Sequence, residues 1–201
     1  MPNFLVNTDT KLQNIIDDLR KSSIIGLDTE FIRESTYYPQ LALMQLSDNI
    51  NTYCIDVLAI KNNNLIAELL DNKDIKKVIH ASKQDLEVLN YYFKCYPQNI
   101  FDTQIAYNLL TSDISISYSN LVKKYLSVEL KEGSWRTDWL KRPLSEEKIT
   151  YAANDVRYLI KLYEILNTKL HEASRIDWFE EEQEIELKKS NIVIEPELSW
   201  E

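Results

Sequence analysis

The chain has 201 residues, 44% hydrophobic and 27% charged, with only 2 Gly, 5 Pro and 2 Cys. That composition excludes a disordered, fibrous or disulfide-framed chain and suits one large domain, or one domain with an appendage. Of the net charge of −9, residues 171–201 carry −7, so residues 1–170 stand at only −2; this argues against a purely electrostatic nucleic-acid binder without excluding a polyanionic substrate.

The opening residues, MPNFLVNTDTK, have neither a basic nor an apolar leader pattern, and no apolar run approaches the roughly 18 residues that span a bilayer. The expectation is a soluble, cytoplasmic, reduced protein with no membrane partner. Asn3 to Asn7 reads as a strand. Asp9 is placed to cap a helix through about Arg20, with Leu12, Ile15, Ile16 and Leu19 on one face. Ser23 to Leu27 reads as a buried strand ending in Asp28-Thr29-Glu30. Gln40 to Leu46 and Thr52 to Val57 follow as strands joined by a Ser47-Asp48-Asn49 turn. Leu65 to Leu70 is a short helix and Lys77 to His80 a short strand. Helical patterns then cover about 82–93, 102–110, 117–126 and 145–170. Strands first and helices later predict an α/β fold, a mixed sheet covered by helices. From about Ile176 the periodicity weakens; Glu180 to Lys189 reads as a solvated charged helix packed on the domain, and Asn191 to Pro196 as an arm or linker.

Three acidic elements can carry chemistry. Asp28 and Glu30, at i and i+2 on a strand, point to one face. Two carboxylates there ionise together cheaply only beside cations, and Mg²⁺ or Mn²⁺ favours such oxygen ligands. Alone, the pattern more often marks exposed acids at a strand end. In His80-Ala81-Ser82-Lys83-Gln84-Asp85-Leu86, Ser82 reads as a helix cap and Asp85 as a first-turn acid, for which the helix dipole is sufficient reason. Tyr151 and Asp155, at i and i+4, share a helix face, most simply as a hydrogen-bonded pair. Asp102 likewise reads as a cap and Trp139 as core.

Together and in this order, Asp28-Thr29-Glu30-Phe31, His80 to Leu86 and Tyr151 to Asp155 resemble the three exonuclease motifs of the DEDDy group of 3′–5′ exonucleases, most of all bacterial ribonuclease D. Thr36 to Leu41, Phe101-Asp102-Thr103-Gln104 and Arg136 to Glu146 are similar to that family too, so the resemblance covers about residues 3–180. It implies a ribonuclease H-like mixed sheet of five to six strands with a helical C-terminal half. It also implies an exonuclease domain over 1–180, followed by an acidic arm over 181–201 in place of the family's helical HRDC domains. Asp28, Glu30 and Asp155 would bind one Mg²⁺ or Mn²⁺, Asp28 would share the second, and Asp85 would support it through water. Tyr151 would position the attacking water. Four carboxylates and two divalent cations cancel, leaving a site that does not repel phosphate.

Substrate contacts are expected from Phe31 and Gln45 at the terminal nucleotide, and from His80 and Lys83 at a phosphate. Arg136, Lys141 and Arg142, near Trp135 and Trp139, would guide a strand inward. The implied activity is two-metal 3′–5′ trimming of single-stranded RNA ends, of the tRNA-precursor type. A DNA exonuclease and a non-catalytic RNA-binding protein of the same fold are the alternatives.

Overall fold

The computed structural model describes residues 2–33, 38–131 and 138–190. Fourteen elements follow one another in it: β1 (Asn3–Val6), α1 (Asp9–Leu19), β2 (Ile24–Ile32), β3 (Gln40–Ser47), β4 (Thr52–Ile55), α2 (Asn64–Asp71), β5 (Lys76–Ile79), α3 (Lys83–Phe93), β6 (Ile100–Asp102), α4 (Thr103–Leu110), α5 (Tyr118–Leu126), α6 (Glu146–Arg157), α7 (Leu159–Glu172) and α8 (Ile176–Ser190). The strands form one sheet in the order β1-β4-β3-β2-β5-β6, in which β3 pairs antiparallel with both of its neighbours and the other pairings are parallel. The mixed sheet and helical second half agree with the sequence reading. The 36–37 and 132–137 stretches and the tail beyond 190, on which that reading also drew, lie outside the described residues.

Strand alternation sorts β2 between two helical layers. Ile25 and Leu27 are fully buried with Leu12, Ile16 and Leu19 of α1 and Ile66 and Leu69 of α2. Gly26 faces the other way, toward Val156 and Leu159. On that side the buried Ala152 and Ala153 bring α6 close to Ala42 and Leu43 of β3 and Cys54 of β4. Two small side chains in succession let the helix backbone approach the sheet, which places the helix's polar residues over β2.

Several elements differ from the expected bounds, each for a local reason. Thr8 caps α1, its hydroxyl accepting from the Lys11 N–H at 3.3 Å; Asp9 accepts instead from the N–H groups of Lys61 and Asn62, at 2.9 and 3.1 Å. β2 continues past Leu27 because Asp28, Thr29 and Glu30 still pair with Gln45, Met44 and Leu43 of β3. The 145–170 pattern is two helices broken at Tyr158 (φ −111°, ψ 0°). α8 runs unbroken across position 180, where the sequence reading ends the exonuclease domain, with Phe179 and Gln183 both buried.

The close approach at Gly26 gives a direct test. A Cβ there would lie 2.4 Å from Ser47 Oγ, 3.0 Å from the Val156 carbonyl oxygen and 3.3 Å from Leu159 Cβ, while that same Ser47 hydroxyl donates to the Val156 carbonyl at 2.8 Å. Gly26→Ala is expected to lower stability by about 1–3 kcal/mol, the usual penalty for overpacking. Urea unfolding checks it; an unchanged midpoint would mean that β2 and the α6–α7 junction separate at little cost.

Candidate active site

Asp28 and Glu30 come from one face of β2 and Asp155 from the last full turn of α6. Their carboxylate oxygens can all lie within 4.8 Å of one another, and all three residues are half-buried. At such spacing each ionised pair costs about 3 kcal/mol at an effective dielectric near 20. Burial first, then the charges of Asp85, Asp155 and Glu30, pushes the Asp28 carboxyl well above the usual carboxylate range. Burial followed by Asp155 and Asp85 pushes Glu30 up to about 9. Burial also lifts Asp155 to about 7. A metal-free site therefore holds protons at neutral pH. The donor set is three hard oxygens, two from β2 and one from α6, half-open to solvent, and it fits a hard divalent cation.

Asp85 stands apart from that trio. It is buried on the first turn of α3 and accepts a hydrogen bond from the Thr29 hydroxyl, from the residue between Asp28 and Glu30 that faces the other layer. Burial raises Asp85 to about 7 against the lowering effect of the Thr29 hydroxyl. Its charge reaches Asp28 all the same. Ser82 does not cap α3: its hydroxyl is buried without a partner. Asp102 of β6 instead holds the backbone just before that helix. Its carboxylate accepts from the N–H groups of Ala81 at 3.0 Å, Ser82 at 2.7 Å and Gln104 at 2.7 Å. It thus caps α4 as expected and also fixes the turn before α3, where Ala81 has φ +56°. The Gln183 amide oxygen of α8 accepts from the Asp102 N–H at 2.7 Å. Sequence reasoning missed these roles of Thr29 and Gln183, and no local pattern marks them.

Tyr151 is half-buried one turn before Asp155. Burial, then the charges of Asp155, Glu30 and Asp28, keeps its phenol protonated far above neutral pH. Its ring tilts against Trp139, centroids 6.2 Å apart, and Trp139 is core as expected.

The expected substrate contacts fare differently. Phe31, just past a register shift in the β2–β3 pairing, packs against the core on the α1–α3 side. Gln45 sits opposite Asp28 but is fully buried, with neither amide atom partnered, so it has no surface to offer a nucleotide. Both ring nitrogens of His80 are engaged, Nδ1 with Thr103 Oγ1 at 2.8 Å and Nε2 with the Ile116 carbonyl at 3.0 Å. Lys83 is exposed, in an open groove of about 380 Å³ shared with Asp102, Glu182 and Glu186. Arg142 does not face solvent as a guide: it pairs with both carboxylate oxygens of Asp56 at 2.7 Å and donates to the Ala42 carbonyl at 2.9 Å. Lys141 is exposed, and Trp135 and Arg136 lie outside the described residues.

A family model described as 3′–5′ exonuclease matches residues 3–171. The chain belongs to the 3′–5′ exonuclease family. Ribonuclease D of Zymomonas mobilis is 38% identical over 198 residues, 98% of this chain and 51% of that protein. The crystal structure of Escherichia coli RNase D superposes with a TM-score of 0.95 at 34% identity, covering 100% of this chain and 53% of the other. This likeness bears out both the ribonuclease H-like fold and the kinship with ribonuclease D. Brucella melitensis NrnC bound to pGG matches at 27% identity and TM-score 0.81, covering 94% of this chain and 91% of that one. The same protein with bound Mg²⁺ matches at 25% identity and TM-score 0.80, covering 94% and 92%. This exonuclease-family chain spans about half the length of the ribonuclease D relatives it matches.

The raised carboxyls predict how the metal-free protein responds to pH. Acids whose folded pKa lies above the unfolded value stabilise the fold only while protonated. Stability of the EDTA-treated protein should therefore fall as pH rises from about 4, where the unfolded acids ionise, toward the value of about 9 at Glu30. Asp155→Asn removes one of the crowded charges and is expected to stabilise the metal-free protein at pH 8 by about 2 kcal/mol. It should also erase much of the rise in melting temperature that Mn²⁺ gives the parent. Thermal melts with EDTA and with Mn²⁺ check this; a variant less stable than the parent in EDTA would contradict the repulsion.

Proposed function

We propose that this chain is a metal-dependent 3′–5′ exoribonuclease that shortens single-stranded RNA from its 3′ end, in the manner of tRNA-precursor trimming, and releases nucleoside 5′-monophosphates. The observation that carries the reading is the convergence of Asp28, Glu30 and Asp155 within 4.8 Å, on a fold that superposes over its whole length on an exoribonuclease. A cytoplasmic location, where free RNA 3′ ends are met, is part of the proposal, as is a catalytic domain within residues 1–180.

In this reading Asp28, Glu30 and Asp155 hold one divalent ion. Asp28 would also help to hold a second, with Asp85 in support through water; Thr29 fixes the Asp85 carboxylate. Two bound Mg²⁺ or Mn²⁺ ions would supply activation of water near neutral pH and stabilisation of the departing 3′ oxygen. Water adds to the last phosphorus, and the bond to the 3′ oxygen of the penultimate nucleotide breaks. That oxygen leaves as the new 3′ hydroxyl of the shortened RNA. Tyr151 orients the water by hydrogen bonding; with its phenol held protonated, it does not take the proton. Support for the substrate class comes from the RNase D likeness, and support for the ion from a neighbour bound to Mg²⁺.

The test is a sequencing gel with 5′-labelled single-stranded RNA and matching DNA, in Mg²⁺, Mn²⁺ or EDTA. A metal-dependent ladder receding from the 3′ end is expected, faster on RNA. A faster ladder on DNA would transfer the reading to a DNA exonuclease, and no ladder from folded protein would leave RNA binding alone. Asp155→Ala should abolish hydrolysis with the fold retained, and wild-type turnover would overturn the metal assignment. Tyr151→Phe should slow turnover by about 10²-fold or more, in the range of other groups that orient or move protons, at unchanged metal affinity; an unchanged rate would leave the phenol a packing role only.

A further inference from the structure

Asp155 sits in the last full turn of α6, where the hydrogen-bond ladder is interrupted. In a continuous helix the Tyr158 N–H would donate to the Asn154 carbonyl four residues back. Here the phenol oxygen of Tyr118, at the start of α5, stands between them. It donates to the Asn154 carbonyl at 3.1 Å and accepts from the Tyr158 N–H at 3.1 Å. That N–H also points toward the Val156 carbonyl, and the helix ends there. A side chain inserted into the ladder is a recognised cause of a helix break, and no proline or glycine lies nearby to supply another.

From these contacts we infer that Tyr118 is a positioning residue for Asp155: its hydroxyl opens the α6–α7 junction and so sets where the Asp155 carboxylate stands relative to Asp28 and Glu30. The inference rests on the metal-dependent reading above. The phenol is itself held in place. Its ring lies 5.8 Å from that of His80, and His80 is fixed through both nitrogens by Thr103 and the Ile116 carbonyl. Burial, and beyond it the charges of Asp155 and Asp28, keeps the phenol protonated against the opposing pull of the Tyr158 N–H, so the donor to Asn154 persists. The same junction is seated from the sheet side by the Ser47 hydroxyl on the Val156 carbonyl and by the bare Cα of Gly26. The sheet fixes the depth of the junction, and Tyr118 fixes its opening. Without the hydroxyl, Asn154 and Tyr158 can bond directly, which continues the helix and re-aims the residue between them.

The test is Mn²⁺ binding by calorimetry to the parent chain, Tyr118→Phe, Asp155→Asn and the double variant, with melting curves and RNA affinity in Ca²⁺ alongside. Tyr118→Phe keeps the ring, so a cooperative melt and RNA affinity within about twofold of the parent are expected. Mn²⁺ affinity should fall about tenfold or more, the usual effect of losing a group that orients a metal ligand. In the Asp155→Asn background the same change should have no further effect, because Tyr118 acts through Asp155. Parent-like Mn²⁺ affinity in Tyr118→Phe, or an equal additional loss in the double variant, would overturn the inference while leaving the metal reading intact. A parent chain that binds no Mn²⁺ would overturn both. A measurement on the unaltered protein guards against a variant that does not fold. The Tyr158 amide should exchange slowly, at the rate of its helical neighbours, and free exchange would remove the inserted bond and the inference with it.

Discussion

Three carboxylates that can close to within 4.8 Å make like-charge repulsion the constraint on which the rest of this structure depends. Fully ionised, the three pairs would cost about 10 kcal/mol at an effective dielectric near 20, which is comparable to the entire stability of an ordinary domain. The metal-free chain avoids that cost by keeping protons on Glu30 and its neighbours. A divalent cation offsets most of that cost and needs no protons to do so. The arrangement is thus unfavourable for folding alone and favourable for binding a hard ion, the balance expected where chemistry rather than stability has shaped a site.

Holding such a cluster requires a frame that is rigid where the charges are. Asp28 and Glu30 gain theirs from the centre of the sheet, since β2 is paired on both sides with β3 and β5. Asp155 has only a helix, and that helix is anchored at its end by contacts from elements far apart in sequence. Arg157 donates to the Asn154 side chain at 3.0 Å and to Asn3 of β1, Ser47 of β3 holds the Val156 carbonyl, and Tyr118 bridges the break. Asp85 is fixed differently. Asp102 ties down the turn before its helix and Thr29 holds its carboxylate, so it approaches from the opposite helical layer and outside the trio.

What the sequence made legible, and what it hid, follows from the range of each interaction. Alternation placed Asp28 and Glu30 on one face, and helical spacing placed Tyr151 and Asp155 one turn apart. Those are local periodicities, and they held. The Ser82 cap failed because a buried aspartate twenty residues later holds the backbone N–H groups of Ala81 and Ser82 and leaves the Ser82 hydroxyl buried without a partner. The single helix over 145–170 failed because the break is made by a tyrosine from α5, for which α6 and α7 carry no proline or glycine signal. β6 went unread because three residues, Ile100–Asp102, are too few to show a period. His80, Gln45 and Arg142 were read as polar groups available to substrate; in the fold His80 and Arg142 have protein partners and Gln45 is fully buried.

The acidity of the chain also has a location. Most of the described negative excess lies on α8, which packs beside the β6–α4 corner through Phe179 and Gln183. Glu182 and Glu186 line the groove that contains Lys83. A phosphate approaching Lys83 meets two carboxylates on α8 and a third at Asp102, and over distances shorter than a Debye length of about 8–10 Å this repulsion is not screened away. With the divalent ions of the proposed function, by contrast, the Asp28–Glu30–Asp155 site would be close to neutral and would no longer oppose a phosphodiester. The contrast gives a polyanionic strand a direction. Under the proposed function, its reacting end would be accepted at the β2–α6 site, while the carboxylates of α8 and Asp102 would repel it from the Lys83 groove. A net negative protein can in this way accept a nucleic acid, because the sign of the field where the chemistry occurs is set by the bound ions and not by the sum over the chain.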